Sequence, residues 1–195
     1  PPELLAKASR VLKMGEAYDL NELAEVLTAA GYSRCDQVEG AGQFALRGGI
    51  LDFFSPAHPQ PVRMEFFGDE VDSMGLFDVA TQRRTETLEE ACVLPAAEVL
   101  PQFAPGGVMG LAQALDQRLA AAVKKGASDQ LLVTLAQDKE ALENGLSFPA
   151  IDRYLALIYP KMATAADYLP GDAAVLISDS PRFMERCKNY LWQLN

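Results

Sequence analysis

Helical periodicity marks the start of the chain. Apolar side chains recur three and four positions apart across residues 2–15, between a proline and a glycine, which predicts a first helix over this range. The same spacing returns across residues 19–31. There Asp19 is placed to cap a second helix, Glu22 to complete a capping box, and Gly31 to end the helix. Both helices are expected to be structural.

From residue 32 to about residue 80 the hydrophobic period changes to two, which is typical of strands with one buried face. Clusters of glycine, proline and aspartate divide this stretch into predicted strands at 33–38, 43–54, 62–67 and 70–77. The second strand is expected to kink at Gly48–Gly49. Together the strands predict a small antiparallel β-meander with helices around it, an α+β fold class.

Helical spacing returns in the second half of the chain. Helices are predicted over 107–126 and 128–145, each closed by glycine, and a shorter helix lies between the prolines of 149–160. Residues 173–179 form a continuous apolar run of strand length, followed by a helix over 181–194. An apolar strand that leads into a helix predicts a parallel sheet covered on both faces.

Composition narrows the function classes. The chain has 195 residues and a formal net charge of −10, with 27 acidic against 17 basic residues, which argues against a free-standing nucleic-acid binder. Three cysteines without a CxxC arrangement fit a reduced, cytoplasmic compartment, and no apolar run approaches the roughly 20 residues that span a membrane. Because the sequence begins PPELL without an initiator methionine, we expect a segment of a longer chain.

Candidate catalytic and cofactor sites are sparse. No GxxxxGK[ST] phosphate loop is present, and His58 lies in a proline-rich loop where a solvated side chain is expected. Asp179 ends the apolar run at 173–179 as a magnesium-binding Walker B aspartate would. Ser180 follows instead of glutamate, so a helix cap is the favoured interpretation of Asp179. No active site, metal site or cofactor site is predicted.

Strand alternation singles out one face of the predicted meander. In residues 62–67, Val62, Met64 and Phe66 share one side, whereas Arg63, Glu65 and Phe67 share the other. Arg47, at the end of QFALR, is expected to point the same way as this second set. Arginines and an aromatic on a rigid sheet are typical of a protein-binding hot spot. In the alternative, Phe67 packs under a helix and the arginines pair with Glu65 or Asp52.

Two long segments carry a resemblance to a known family. They are GYSRCDQVEGAGQFALRGGILDFFSP at 31–56 and PVRMEFFGDEVDSMGLFDVATQR at 61–83, with weaker matches at 94–100 and 148–179. They resemble the amino-terminal module of bacterial transcription-repair coupling factors, which is itself similar to part of the excinuclease protein UvrB. The resemblance covers most of the chain and is most specific across 31–84.

The resemblance implies a division of the chain and a partner. Residues 33–88 would be an antiparallel β domain that docks the excinuclease protein UvrA, between a helical lead-in at 1–32 and helical and α/β remainders of a degenerate helicase-like domain at 89–195. The family's docking determinants fall on Arg47, Arg63 and Phe67, and Glu65 lies between them.

The implied function is recruitment without catalysis, in transcription-coupled nucleotide excision repair. In the full-length protein, an ATP-dependent DNA translocase, contacts with RNA polymerase and DNA, and with ATP and magnesium, are expected at other domains. Three rival hypotheses are a nucleotide hydrolase, a DNA-binding module and a fragment of UvrB. The absent phosphate loop argues against the first and third, and the −10 charge against the second.

Overall fold

A computed structural model of the chain describes residues 1–146, 148 and 150–193. They form two compact units, 1–163 and 164–195. In the described residues the strands are β1 Arg10–Lys13, β2 Ser33–Arg34, β3 Gln43–Arg47, β4 Ile50–Phe53, β5 Val62–Phe67, β6 Glu70–Phe77, β7 Arg84–Thr87 and β8 Glu90–Val93. The helices are α1 Pro2–Ala8, α2 Leu20–Ala29, α3 Gly107–Lys124, α4 Asp129–Glu143, α5 Leu155–Ile158 and α6 Ser180–Gln193. Short 3-10 helices lie at Pro101–Phe103, Ile151–Tyr154 and Ala165–Tyr168.

The main sheet confirms the predicted α+β meander. Its strands follow chain order from β2 to β7, and every neighbouring pair from β3 onward is antiparallel. The first pair departs from the prediction, since β2 is parallel to β3 and only two residues long. The eight-residue connection at 35–42 brings the chain back to the start of the sheet before β3 begins.

The predicted kink at Gly48–Gly49 is wrong, because these residues are the turn of a tight hairpin. β3 and β4 run antiparallel with Arg47 opposite Ile50, so 43–54 is two strands and not one. Gly48 has a φ of +59°, the left-handed conformation that two-residue hairpin turns require and glycine adopts without strain. The reversal places β4, and with it Asp52, between β3 and β5.

The first predicted helix is also shorter than expected. α1 ends at Ala8, Ser9 is extended, and Arg10–Lys13 form β1, which pairs antiparallel with β8. Leu12 is buried and Val11 is exposed, an alternation typical of a strand. Pairing with the distant strand β8 overrides the local helical spacing. The hydrogen bonds between β1 and β8 satisfy the backbone N–H and C=O groups of residues 10–13, which a longer helix would otherwise have to satisfy.

One hydrophobic core lies beneath the main sheet. α2 packs Leu23 and Leu27 into it, and its first turn is capped by the Asp19 carboxylate, which accepts from the backbone N–H groups of Asn21 and Glu22, as the sequence predicts for the cap. Core side chains extend from Leu12 to Val93. The domain boundaries at 33 and 88 stay a prediction.

A second core joins the helices that follow the sheet. α3 and α4 confirm the predicted pair, and the Ser128 hydroxyl caps α4. Leu115 and Leu135 from these helices pack with Ile158 of α5. The predicted helix at 149–160 is a 3-10 turn followed by α5, and Pro149 lies outside the described residues.

The prediction of a strand at 173–179 is wrong. These residues form no regular structure, and Leu176 is 94% exposed. A strand needs a neighbour for its backbone hydrogen bonds, and the described residues of 164–193 contain no strand to supply one. Asp179 caps α6 by accepting from the backbone N–H of Arg182, which confirms the favoured interpretation of that residue. Leu194, the predicted end of this helix, lies outside the described residues.

Candidate protein-docking face

The alternation predicted for residues 62–67 is present in β5. Val62 and Met64 are fully buried in the core, and Phe66 packs against it. Arg63, Glu65 and Phe67 lie on the opposite side of the sheet. We call this side the outer face and define it by Arg47, Asp52, Arg63, Glu65 and Phe67.

Phe67 projects from the outer face with 84% of its surface exposed. It is the last residue of β5, opposite Glu70 across the two-residue turn to β6. The hairpin is held from the side: the backbone N–H of Tyr18 donates to the Asp69 carbonyl at 2.8 Å, and Ala17 bridges Glu70. A large aromatic side chain is therefore displayed to solvent on a fixed backbone, and the alternative in which Phe67 packs under a helix of the described residues is wrong.

Asp52 lies in the middle of the outer face and is 1% exposed. Its neighbours across the sheet are Ala45 on β3 and Arg63 on β5. Nε of Arg63 donates to Oδ1 at 2.7 Å, Nη2 of Arg63 donates to Oδ2 at 2.8 Å, and Nη2 of Arg47 donates to the same Oδ2 at 2.7 Å. The carboxylate is thus held by two guanidinium groups, as one alternative from the sequence proposed.

Arg63 and Arg47 differ in their number of hydrogen bonds within the chain and in the exposure of their side chains. Arg63 also donates to the backbone carbonyl and the side-chain oxygen of Gln82, and its guanidinium lies 4.4 Å from the ring centre of Phe77. Its side chain is 18% exposed, and hydrogen bonding to Asp52 holds the pKa of Arg63 above its ordinary value. The Arg47 side chain is 46% exposed. Arg63 is largely an internal residue, whereas Arg47 faces solvent.

A second ion pair continues the outer face toward β7. Arg84 donates to the Ser73 hydroxyl at 2.8 Å and lies 3.4 Å from the Glu65 carboxylate, which itself accepts from Ser73 at 2.7 Å. The Arg84 stem crosses the sheet over Gly75, where a side chain would collide with it. Sequence reasoning missed Arg84, because RTET at 84–87 is polar throughout and shows no apolar alternation.

His58 is not the solvated loop residue that the sequence predicts. Its Nε2 accepts a hydrogen bond from the backbone N–H of Cys92 on β8 at 3.0 Å, and Ser55 accepts from Leu94 beside it. Because Nε2 accepts from an N–H, it carries no proton, and the neutral ring that fits this contact has its proton on Nδ1. Burial lowers the pKa of His58. His58 anchors the loop between β4 and β5 to β8.

A depression beside Arg47 and the placement of possible metal ligands complete the description of the surroundings of the outer face. A shallow depression of about 340 Å³ lies beside Arg47 and is lined by Arg34, Cys35, Asp36 and Leu46. In the part of the chain that the structure describes, no three His, Cys, Asp or Glu side chains are placed to share a metal ion. Nor does any helix there have the length and apolar character to cross a membrane. The outer face is suited to binding another surface.

Comparison with known proteins places this face within a known domain. Residues 11–99 match the family model of the UvrB interaction domain. The chain is 33% identical to the transcription-repair-coupling factor of Bacillus subtilis over 190 residues, 95% of this chain and 16% of that protein. It is 33% identical to the factor of Myxococcus xanthus over 194 residues, and 30% identical to that of Haemophilus influenzae over 174 residues. These matches cover 96% and 87% of this chain, and 15% and 14% of those proteins. The chain spans about a sixth of the length of these curated relatives.

Proposed function

We propose that this chain recruits the excinuclease protein UvrA for nucleotide excision repair. The premise is that residues 11–99 belong to the UvrB interaction domain family, and that the chain is similar over most of its length to transcription-repair-coupling factors. The outer face is the docking surface, with Arg47, Phe67, Arg63 and Glu65 as its partner-binding residues. The function is affinity and involves no bond chemistry. RNA polymerase, DNA, ATP and magnesium engage other segments of the longer protein.

The observation that carries the proposal is the display of Phe67. An aromatic side chain 84% exposed on a pinned hairpin has no role in its own core. Burying it under a partner would contribute roughly 1.5–3 kcal/mol, about a tenfold to 150-fold gain in affinity. Arg47 lies on the same face, and about half of its side chain is exposed. An exposed aromatic beside an exposed arginine is the composition of an interface hot spot.

The same face is poorly suited to DNA. Arg63 and Arg84 donate to groups of their own chain, and each is paired with a carboxylate, Arg63 with Asp52 and Arg84 with Glu65. Affinity for phosphates rests on several Lys or Arg side chains whose donors are free to contact them. This chain has a net charge of −10. The partner is therefore a protein surface with a few acidic groups and an apolar recess.

The test is the affinity of purified UvrA for the chain at two salt concentrations. Phe67→Ala should weaken binding about tenfold to 150-fold with little salt dependence, because it removes buried apolar area. Arg47→Ala should weaken binding and also reduce its sensitivity to salt.

The matched controls are exposed residues of the helices. Leu131→Ala on α4 removes an exposed apolar side chain, and Arg118→Ala on α3 removes an exposed arginine. Both controls should bind as wild type does. Absence of wild-type binding, or wild-type affinity in both Phe67→Ala and Arg47→Ala, would refute the proposed function.

A further inference from the structure

A buried carboxylate lies at the centre of the outer face, among residues that the proposed function uses. Resting on that function, we propose that Asp52 is a positioning residue: it fixes the Arg47 guanidinium so that the remaining N–H donors of Arg47 receive a carboxylate of the partner. The partner group is an aspartate or glutamate side chain. Asp52 itself, 1% exposed, makes no contact with the partner.

The donor count of the two arginines supports this division of roles. A guanidinium has five N–H donors. Arg63 uses Nε, both protons of Nη2 and one proton of Nη1 on Asp52 and Gln82. Among the described residues Arg47 donates one hydrogen bond, from Nη2 to Asp52. Arg47 therefore keeps the free edge that a bidentate contact with a carboxylate needs, and Arg63 does not.

The geometry around Asp52 shows why Arg47 would be held in place. Oδ2 accepts from both Arg47 and Arg63, at 2.7 and 2.8 Å. Arg63 is fixed in turn by Gln82 and by its contact with Phe77, so the carboxylate has little freedom to rotate. A long arginine side chain loses much conformational entropy on binding unless it is ordered beforehand. Asp52 provides that order before the partner arrives.

Charge explains the choice of partner group. One carboxylate between two guanidinium groups leaves a net charge of about +1 at this place, and the negative member is the buried one. A partner cation would be repelled by the exposed Arg47 charge. A partner carboxylate would be attracted, and the planar fork of Arg47 matches its two oxygens.

A double-mutant cycle tests the proposal. Affinity for UvrA is measured for wild type, Asp52→Asn, Arg47→Ala and the double variant, with Asp129→Asn on α4 as a control that removes the same charge at an exposed position. Asp52→Asn should weaken binding at least tenfold, and the control should not weaken it. Because Asp52 acts through Arg47, the double variant should bind within about twofold of Arg47→Ala. Losses that multiply in the double variant, or wild-type affinity in Asp52→Asn, would overturn the proposal.

A measurement on the wild-type chain without the partner tests the positioning role of Asp52 separately from the proposed function. It also tests that role if Asp52→Asn does not fold. In the wild-type chain, the Arg47 side chain should give resolved, slowly exchanging guanidinium signals in ¹⁵N–¹H spectra, unlike exposed Arg118. Averaged signals for Arg47 identical to those of Arg118 would refute the positioning role. Absence of wild-type binding would refute the proposed function instead, and the spectra would then decide the positioning alone.

Discussion

Replacing Arg63 by alanine should destabilise the fold, contrary to what its position on the outer face suggests. From alternation alone, Ala variants of Arg47, Arg63 and Phe67 should all leave the fold nearly intact, since exposed substitutions change stability by about 0.5 kcal/mol or less. The structure changes this expectation for Arg63. Its side chain is 18% exposed and supplies two of the three hydrogen bonds that hold Asp52.

The magnitude follows from what Arg63→Ala leaves behind. The Asp52 carboxylate, 1% exposed, would keep one hydrogen bond, from Arg47. Removing one partner of a fully buried ion pair costs about 3–5 kcal/mol, and an exposed pair contributes about 0–1 kcal/mol. Because Arg63 reaches solvent in part, an intermediate cost of roughly 2–3 kcal/mol is expected, including the lost contact with Phe77. For a chain of this size that lowers the melting temperature by about 4–12 °C.

The assay is thermal unfolding followed by circular dichroism, with Arg47→Ala and Phe67→Ala measured alongside. Arg47→Ala should cost about 1 kcal/mol or less, because its side chain is 46% exposed, and Phe67→Ala should be nearly neutral. A melting temperature for Arg63→Ala equal to that of wild type would refute the account of Asp52 as a carboxylate that depends on Arg63. If the fold is weakened as expected, a loss of partner affinity in Arg63→Ala is not by itself proof of contact.

Three further changes test the fold around this face. Met64→Asp should unfold the chain, because an unpaired carboxylate in the core costs a large part of the roughly 5–15 kcal/mol that stabilises a domain. Met109→Asp places the same charge at an exposed position, and circular dichroism should show that this variant stays folded. Gly75→Ala should cost about 1–3 kcal/mol in urea unfolding, because the added carbon meets a backbone carbonyl of β7, whereas Gly40→Ala, with open space around it, should cost far less. The folded state holds the pKa of His58 below its ordinary value of about 6.5. The stability that neutral His58 contributes is therefore present above about pH 6.5 and is lost as the pH falls through the lower pKa of the folded state. The free energy of unfolding changes by at most about 1.4 kcal/mol per pH unit. His58→Gln, which keeps a hydrogen-bond acceptor, should flatten the dependence of melting temperature between pH 5.5 and 7.5, and an unchanged slope would contradict this role for the only histidine in the chain.

Elements whose signals are local could be predicted from the sequence. The strands at 62–67 and 70–77 have their predicted bounds, because Gly68–Asp69 supplies a two-residue turn between two segments rich in β-branched and aromatic residues. The pairing is not regular throughout, since the register shifts between Glu65 and Phe66. α4 begins after Ser128 for a similar reason, since its hydroxyl satisfies a backbone N–H at the first turn. In these places the hydrophobic pattern and the turn residues agree.

Elements that depend on distant partners could not be predicted. Arg10–Lys13 has helical spacing in the sequence, and only the presence of β8, some eighty residues later, makes it a strand. Residues 173–179 have the composition of a buried strand, yet they form none beside the described residues of their unit. The composition of a segment indicates that it can form a strand when a neighbouring strand is present, but it does not indicate whether that neighbour is present.

The candidate site divides along the same line. Alternation predicts that Arg63 and Phe67 share a face, and the structure agrees. Pairing of the arginines with Asp52 was one alternative from the sequence, but alternation could not select it, because that contact depends on the hairpin at Gly48–Gly49 and on the register of β4 with β5. The sequence offered exposure of the arginines on the outer face and pairing of the arginines with Asp52 as alternatives. In the structure Arg47 does both, since its side chain is partly exposed and also donates to Asp52. An arginine on a sheet is both displayed and held when its counterion is buried beneath it.

The charge of the whole chain gives this arrangement a further consequence. The net charge is −10, yet among the described residues the guanidiniums of Arg47, Arg63 and Arg84 lie on or beside the outer face, where they pair with Asp52 and Glu65. The acidic partner surface that we propose would be repelled by the acidic remainder of the chain and attracted to the exposed Arg47. Repulsion elsewhere disfavours encounters in wrong orientations, whereas attraction at one place raises the rate of the correct one. In the docking proposed above, the acidic composition that argues against DNA binding would contribute to selectivity, and both effects should weaken together as salt is raised.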